Sequence, residues 1–169
     1  AQAGVRALSQ VVSTDVVEKL DPTESPEVVQ RVLARLPLLQ RVLASEQTDS
    51  RHACDILQGL QCRSVAGLKI RYRFKEIFPP VVSDVEDAQA HYLREEGVLY
   101  VLRRDEMPWP SIGRELALAL FPETEPGRLA MSFKDVLSAE TDTKASVLLD
   151  DCGFSPIGDN HIRSNNVAS

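Results

Sequence analysis

Residues 87–104 read DAQAHYLR, EEG, VLYVLRR: Asp87–Arg94, then Glu95-Glu96-Gly97, then Val98–Arg104. Two short runs bearing apolar and aromatic residues, separated by a gap that contains glycine, read as a β-hairpin. Pro108-Trp109-Pro110 then stops the sheet and opens a helix with Ile112, Leu116, Ala119 and Leu120 on one stripe. Pro122 ends that helix. Pro126-Gly127 starts another, with Leu129, Phe133, Val136 and Leu137 inward, and a third buries Ala145, Leu148, Leu149 and Cys152 before Gly153 caps it. A hairpin feeding three amphipathic helices fixes the class of the second half as α+β.

Upstream of the hairpin, Leu68, Ile70, Tyr72 and Phe74 alternate with Lys69, Arg71, Arg73 and Lys75. This period of two predicts a half-buried strand with one basic face. Further back, Val5, Leu8, Val12, Val16 and Leu20 recur at helical spacing, so a first helix is expected there, weakened by Ser13-Thr14-Asp15. Ser25-Pro26-Glu27 is a helix start, with serine at the N-cap, proline in the first turn and an acid near the positive end of the dipole. The stripe Val29, Val32, Leu33, Leu36, Leu39 and Leu43 follows, and Pro37 inside it is expected to kink or split the helix. A third helix is expected over Ser50–Leu60. The expected organisation is a helical part over 1–60 and an α+β module over 61–154. Its strands fall at 64–75, 87–94 and 98–104, its helices at 110–121, 126–138 and 141–152. A frayed tail covers 155–169. As a fold class this is α+β: N-terminal helices, a small antiparallel sheet of three or more strands, and a C-terminal three-helix cluster.

The chain has 169 residues, 43% of them hydrophobic and 26% charged, which suits a single core. A net charge of −6 disfavours a general nucleic-acid binder, because neutralising phosphates needs a basic excess. No apolar run approaches the roughly 20 residues of a membrane span, and no signal peptide is evident. The first residues, Ala-Gln-Ala-Gly, lack Met and the last fifteen are polar, so both ends read as boundaries of a processed or excised segment. Cys54, Cys62 and Cys152 are odd in number and lack CxxC spacing, which points to a reducing, intracellular setting and to buried hydrophobes rather than reactive thiols; the cytoplasm is expected over the nucleus.

Chemistry is sparse. Alternate strand residues lie about 6.5–7 Å apart, so Lys69, Arg71, Arg73 and Lys75 form a ladder of positive charge, the candidate ligand-binding set of the chain. It suits a phosphate-bearing ligand, nucleic acid or an acidic partner, so a small binding domain using this face is the alternative function; the plainer expectation is a solvated face balanced by Glu95 and Glu96. His52, Cys54 and Cys62 lack a fourth ligand at zinc spacing, and His91 and His161 are far away. The acid pairs Asp84/Glu86/Asp87, Asp105/Glu106 and Asp150/Asp151 fall at loops and helix ends, where solvated acids are common. Trp109 is expected to anchor the core, and Arg114 and Glu115 to face solvent. No cofactor and no metal is expected. An enzyme would need a site assembled from distant residues, recognisable as a deep pocket with convergent histidine and carboxylates.

From Val98 to Phe154 the order of signals resembles a known family. Leu99-Tyr100-Val101, Trp109, Ile112 to Ala117 (IGRELA) and Leu120-Phe121-Pro122 come first; Lys134 to Thr141 (KDVLSAET) and Leu148 to Phe154 (LLDDCGF) follow. The stretch is similar to a region downstream of the ATPase-like core in very large proteins related to sacsin and the plant protein NO VEIN. The similarity takes in Leu68–Phe74 and covers about 90 residues. The family's ATP site resembles that of Hsp90-type ATPases, and its acidic Mg²⁺-binding helix residue and glycine-bearing nucleotide loops have no counterpart here. The resemblance therefore implies a non-catalytic interaction or coupling segment, with other domains of the same polypeptide or a separate protein as its partner.

Overall fold

The computed structural model describes residues 12–45, 50–74, 81–122 and 125–154. In chain order the elements are β1 (Val12–Leu20), β2 (Thr23–Glu24), α1 (Pro26–Ala34), α2 (Leu36–Ala44), α3 (Ser50–Gln58), β3 (Gln61–Val65), β4 (Gly67–Phe74), β5 (Val81–Val82), β6 (Glu86–Asp87), β7 (Ala90–Leu93), β8 (Val98–Leu102), α4 (Trp109–Leu120), α5 (Gly127–Ser138) and α6 (Asp142–Asp151). The class is α+β. Among these residues no helix is long and apolar enough to cross a membrane.

The hairpin forms as the sequence predicts: β7 and β8 pair antiparallel, with Leu93 opposite Val98. Gly97 sits at φ +70°, a conformation that favours glycine, and its N–H donates to the Leu93 carbonyl at 2.9 Å. The strands fall into two four-stranded sheets. Sheet B runs β2-β3-β8-β7 and sheet A joins β1, β5 and β6 to β4. Residues 61–74, expected as one strand from 64, bend at Ala66 and pass from one sheet to the other. The β3–β8 pairing is parallel.

β8 is buried on both faces, which is why it reads as an unbroken apolar run. Leu99 and Val101 enter the main core with Val28, Val32, Leu39, Ile112, Phe133 and Val136. Val98 and Tyr100 face a second, smaller core with Val65 and Leu68, against which Val16 and Leu93 pack. Sheet A thus lies over the outer face of sheet B.

The helix expected over Val5–Leu20 is contradicted from Val12 onward, the part of it that falls among the described residues. From Val12 the chain is strand β1, antiparallel to β4; residues 1–11 lie outside the described residues. A spacing of four is one helical turn but also two strand repeats, so Val12, Val16 and Leu20 fit either period. The pairing with β4 decides, and β-branched Val12, Val16 and Val17 favour it. A bulge between Val16 and Glu18 then breaks the alternation. The helical part therefore starts at Pro26.

Pro37 splits the next stripe as expected, with Arg35 turning between α1 and α2. Ser25 occupies the N-cap position of α1 without a capping bond; its N–H donates to the Cys62 carbonyl instead. Trp109 is half-buried against the main core, under the Arg31 guanidinium 5.4 Å away. At the other end Gly153 (φ +87°) closes α6, with Gly153 N–H on the Asp150 carbonyl and Phe154 N–H on that of Leu149, a Schellman cap.

Three arginines, Arg31 of α1, Arg35 of the α1–α2 turn and Arg41 of α2, lock the C-terminal helices. A helix leaves its last carbonyls unpaired, and α5 and α6 have no basic residue in their last turns. Arg31 donates to the carbonyls of Leu137 (2.7 Å) and Ala139 (3.2 Å). Arg35 donates to those of Val136 (2.6 Å) and Ala139 (2.8 Å) and pairs with Asp142 at 2.6 Å. Arg41 meets Ser146 Oγ (3.1 Å), Asp150 Oδ1 (2.7 Å) and the Phe154 carbonyl. Arg35 and Arg41 are only 4% and 7% exposed, so these contacts are made largely out of water.

Candidate functional site

Sheet A reaches past the edge of sheet B and leaves a cleft of about 860 Å³ against α4. The antiparallel register places Leu68, Ile70, Tyr72 and Phe74 on one face of β4 and Lys69, Arg71 and Arg73 on the other. Leu68 and Ile70 are buried; Tyr72 and Phe74 are half-buried and line the cleft. The floor is β7 and its turn, with His91 and Leu93. The far wall is α4, with Arg114, Glu115, Leu118 and Ala119.

Two polar groups meet inside. Glu115 was expected to face solvent, yet its side chain is only 15% exposed, and its Oε2 lies 3.7 Å from His91 Nδ1. The same oxygen accepts the Tyr92 N–H at 3.3 Å, so the carboxylate caps the free edge of β7. His91 stands opposite Tyr100 in the hairpin and is nine-tenths buried. Nothing in the sequence flagged this pair. Glu115 shares the polar stripe of an amphipathic helix, and only the packing of α4 on β7 turns it inward.

The basic ladder lies on the opposite face of β4 from the cleft. Its balancing acids come from β1 and not from the hairpin turn: Asp15 Oδ2 lies 3.0 Å from Arg73 Nη2 and 3.6 Å from Arg71 Nε, and Glu18 lies 3.8 Å from Lys69 Nζ. The hydrogen bond from Arg73, helped by the charges of both arginines, holds the Asp15 carboxyl below its usual range although burial opposes it. Lys75 lies outside the described residues. A paired ladder offers less to an external phosphate than four free cations.

Glu96 is used elsewhere. The Tyr100 hydroxyl donates to Glu96 Oε2 at 2.9 Å; Lys19 Nζ lies 3.2 Å from both Glu96 Oε1 and the Tyr100 oxygen, and 4.5 Å from the centre of the Tyr100 ring. This triangle ties β1 of sheet A to the hairpin of sheet B.

The remaining candidates are dispersed. Cys62 is buried under α1, where burial pushes its thiol up to about 12 although a hydrogen bond with Ser25 opposes the shift. Cys54 is half-buried, and Cys152, expected inward, is exposed because it lies at the C-cap of α6, beyond the last turn that packs on the core. Asp150 serves Arg41, while Asp105 and Glu106 stand exposed in a loop. Among the described residues no group of three or more His, Cys, Asp or Glu could hold a metal ion.

Comparisons with family models, with curated proteins and with solved structures return no match for this chain.

Proposed function

We propose that this chain is a non-catalytic interaction module that couples or scaffolds other parts of a larger intracellular ATPase or chaperone-like protein. The observation that carries the reading is on and beside sheet A. Val17, Leu20, Val81, Val82 and Val85 are 42–48% exposed there, away from the main core. The nine-residue β1 pairs on one side only, with β4, among the described residues. Val17 and Leu20 stand on β1 itself, and Val81 and Val82 on β5 across β4, so both margins of sheet A expose apolar side chains that a partner can cover, by side-chain burial and, at the free edge of β1, by strand addition. The resemblance of Val98–Phe154 to sacsin- and NO VEIN-related proteins supports the same reading and suggests that the partner is another part of the same polypeptide.

The test is a titration of this chain against the ATPase-like region of its parent polypeptide, read as binding and as a change in ATP hydrolysis. Saturable binding is expected, weakened at least about tenfold when Val81→Asp and Val82→Asp are combined. Two results would overturn the reading. One is a parent sequence without an ATPase-like region; the other is hydrolytic activity of the isolated chain that vanishes in His91→Ala.

A further inference from the structure

The backbone groups at the margin of β1 follow from its pairing with β4. In an antiparallel pair, facing residues exchange both of their backbone hydrogen bonds or neither. Tyr72 of β4 uses both backbone groups on the side away from β1: its N–H donates to Ser83 Oγ and its carbonyl accepts the Ser83 N–H, each at 2.8 Å. It therefore exchanges neither with Thr14, the residue it faces. The N–H and C=O of Thr14 point to the margin, and alternation sends those of Val16, opposite Ile70, the same way. No described strand pairs on that side. The bulge after Val16 ends the regular edge. Thr14 and Val16 thus supply two donors and two acceptors in register.

The two faces of sheet A differ in what they offer a strand laid along that edge. On the cleft side, Thr14 and Val16 stand beside Ile70, Tyr72 and Phe74, an apolar and aromatic surface. On the outer side, the first charges met from the margin are the acids Asp15 and Glu18; Lys69, Arg71 and Arg73 lie one strand further in, about 4.8 Å. Both arginines meet Asp15 at Oδ2, and a carboxylate offers about four acceptor positions. The net charge of −6 adds a general attraction for cations.

We propose that β1 accepts an extended segment of a partner protein in which lysines or arginines alternate with apolar residues, added as a strand along its free edge. The segment's backbone bonds to Thr14 and Val16. Its cations face Asp15 and Glu18, and its apolar side chains continue the surface of Val16, Ile70 and Tyr72. This pairing rests on the reading of sheet A as an interaction surface and gives the chemistry of what covers one margin of it.

Three peptides serve as probes: acetyl-TVKVKVT-amide, its glutamate counterpart acetyl-TVEVEVT-amide, and the lysine peptide N-methylated at its central valine. Each is titrated into the whole ¹⁵N-labelled chain at pH 7 and low salt. The lysine peptide is expected to shift the amides of 13–17 and, at ten times its Kd, to slow exchange of the Thr14 and Val16 N–H about tenfold. It binds about fivefold more tightly than the glutamate peptide, the effect of charges facing across a strand pair. N-methylation removes a backbone donor and weakens binding about tenfold. Asp15→Asn with Glu18→Gln reverses the charge preference. Thr14→Pro removes an outward N–H and no bond to β4, so the chain stays folded and the lysine peptide is lost.

Equal binding of the lysine and glutamate peptides overturns the proposal, as does binding that survives N-methylation. So do shifts centred elsewhere, or none up to about 5 mM. Shifts of 13–17 that follow chain concentration without peptide would make a second copy the occupant and also overturn it. Should the peptides fail while the Val81/Val82-dependent binding to the ATPase-like region persists, this pairing falls and the interaction reading stands; loss of both overturns both.

Discussion

The guanidinium of Arg35 lies 2.6 Å from the carbonyl oxygen of Val136, 101 residues further along the chain. It also reaches the Ala139 carbonyl and Asp142, so one side chain of the α1–α2 turn supplies what the end of α5 lacks. The N-terminal helices and the C-terminal cluster are thereby held as one body.

Arg35→Met is therefore expected to destabilise the chain by about 3 kcal/mol, because buried carbonyls lose their donors. Arg35→Lys restores less than half, since an ammonium cannot span Val136, Ala139 and Asp142 as a planar fork does. Urea unfolding at constant m checks both. A loss below 1 kcal/mol for Arg35→Met would show that water replaces the clamp.

Gly113 lets α4 approach the backbone of α5 closely. A Cβ there would lie 2.8 Å from the Ala130 carbonyl oxygen and 2.9 Å from the Lys134 nitrogen, both backbone atoms. Gly113→Ala gains about 1 kcal/mol of helix propensity, but the overlap forces the helices apart. A net loss of about 2 kcal/mol is expected in denaturant unfolding; a stabilised variant would contradict the close packing.

The Lys19–Tyr100–Glu96 triangle is expected to open in acid. The hydrogen bond from Tyr100, then that from Lys19, holds the Glu96 carboxyl below its usual range. Its contribution is thus present above the unfolded carboxylate range and is lost as pH falls through the lower folded value. Lys19 behaves in the opposite sense. Burial lowers its pKa, but the bonds to Tyr100 and Glu96 outweigh this and raise it, so its share persists until pH rises through that higher value. The Tyr100 ring resonances, followed by NMR from pH 6 downward, report the acid step, and Glu96→Gln removes it without unfolding the chain.

The three thiols should separate by reactivity. With its pKa pushed up to about 12, Cys62 is almost wholly protonated at pH 8, whereas Cys152 stands exposed at the end of α6. Ellman's reagent is expected to modify Cys152 at once and Cys62 only under denaturant, a rate ratio of about a thousand or more. Rapid labelling of Cys62 in the folded chain would contradict its burial.

Unmasking the basic ladder should create the binding that its pairing suppresses. Asp15→Asn with Glu18→Gln frees Arg71, Arg73 and Lys69. The double variant is expected to elute from heparin at higher salt than the native chain, because each freed cation adds a phosphate- or sulfate-like contact. Identical elution would mean that the ladder is unavailable for another reason.

Much of the fold was legible from local signals, although Leu148 and Cys152, expected inward on the last helix, are exposed, and Asp87, expected in the hairpin, pairs with β4 instead. The hairpin around Gly97, the split at Pro37, the three C-terminal helices and the Gly153 cap rest on turn chemistry, helix breakers and apolar period, all of which act within a few residues. β1 was misread because its spacing satisfies two periods, and only β4 beside it removes the ambiguity. The candidate site was not legible at all. His91 and Glu115 come from different elements 24 positions apart, and neither has a neighbour in sequence that betrays the other.

By itself, then, the sequence determined the α+β class, the helices of the C-terminal cluster and the basic face of β4, because local periodicity and capping operate along the chain. Only the tertiary structure decided that Asp15 and Glu18 neutralise that face, that buried arginines close the helix ends, and that a histidine and a glutamate share a cleft under sheet A. Those facts depend on which distant residues meet when the sheets and helices pack, and the contacts that settle them span tens to over a hundred residues of chain.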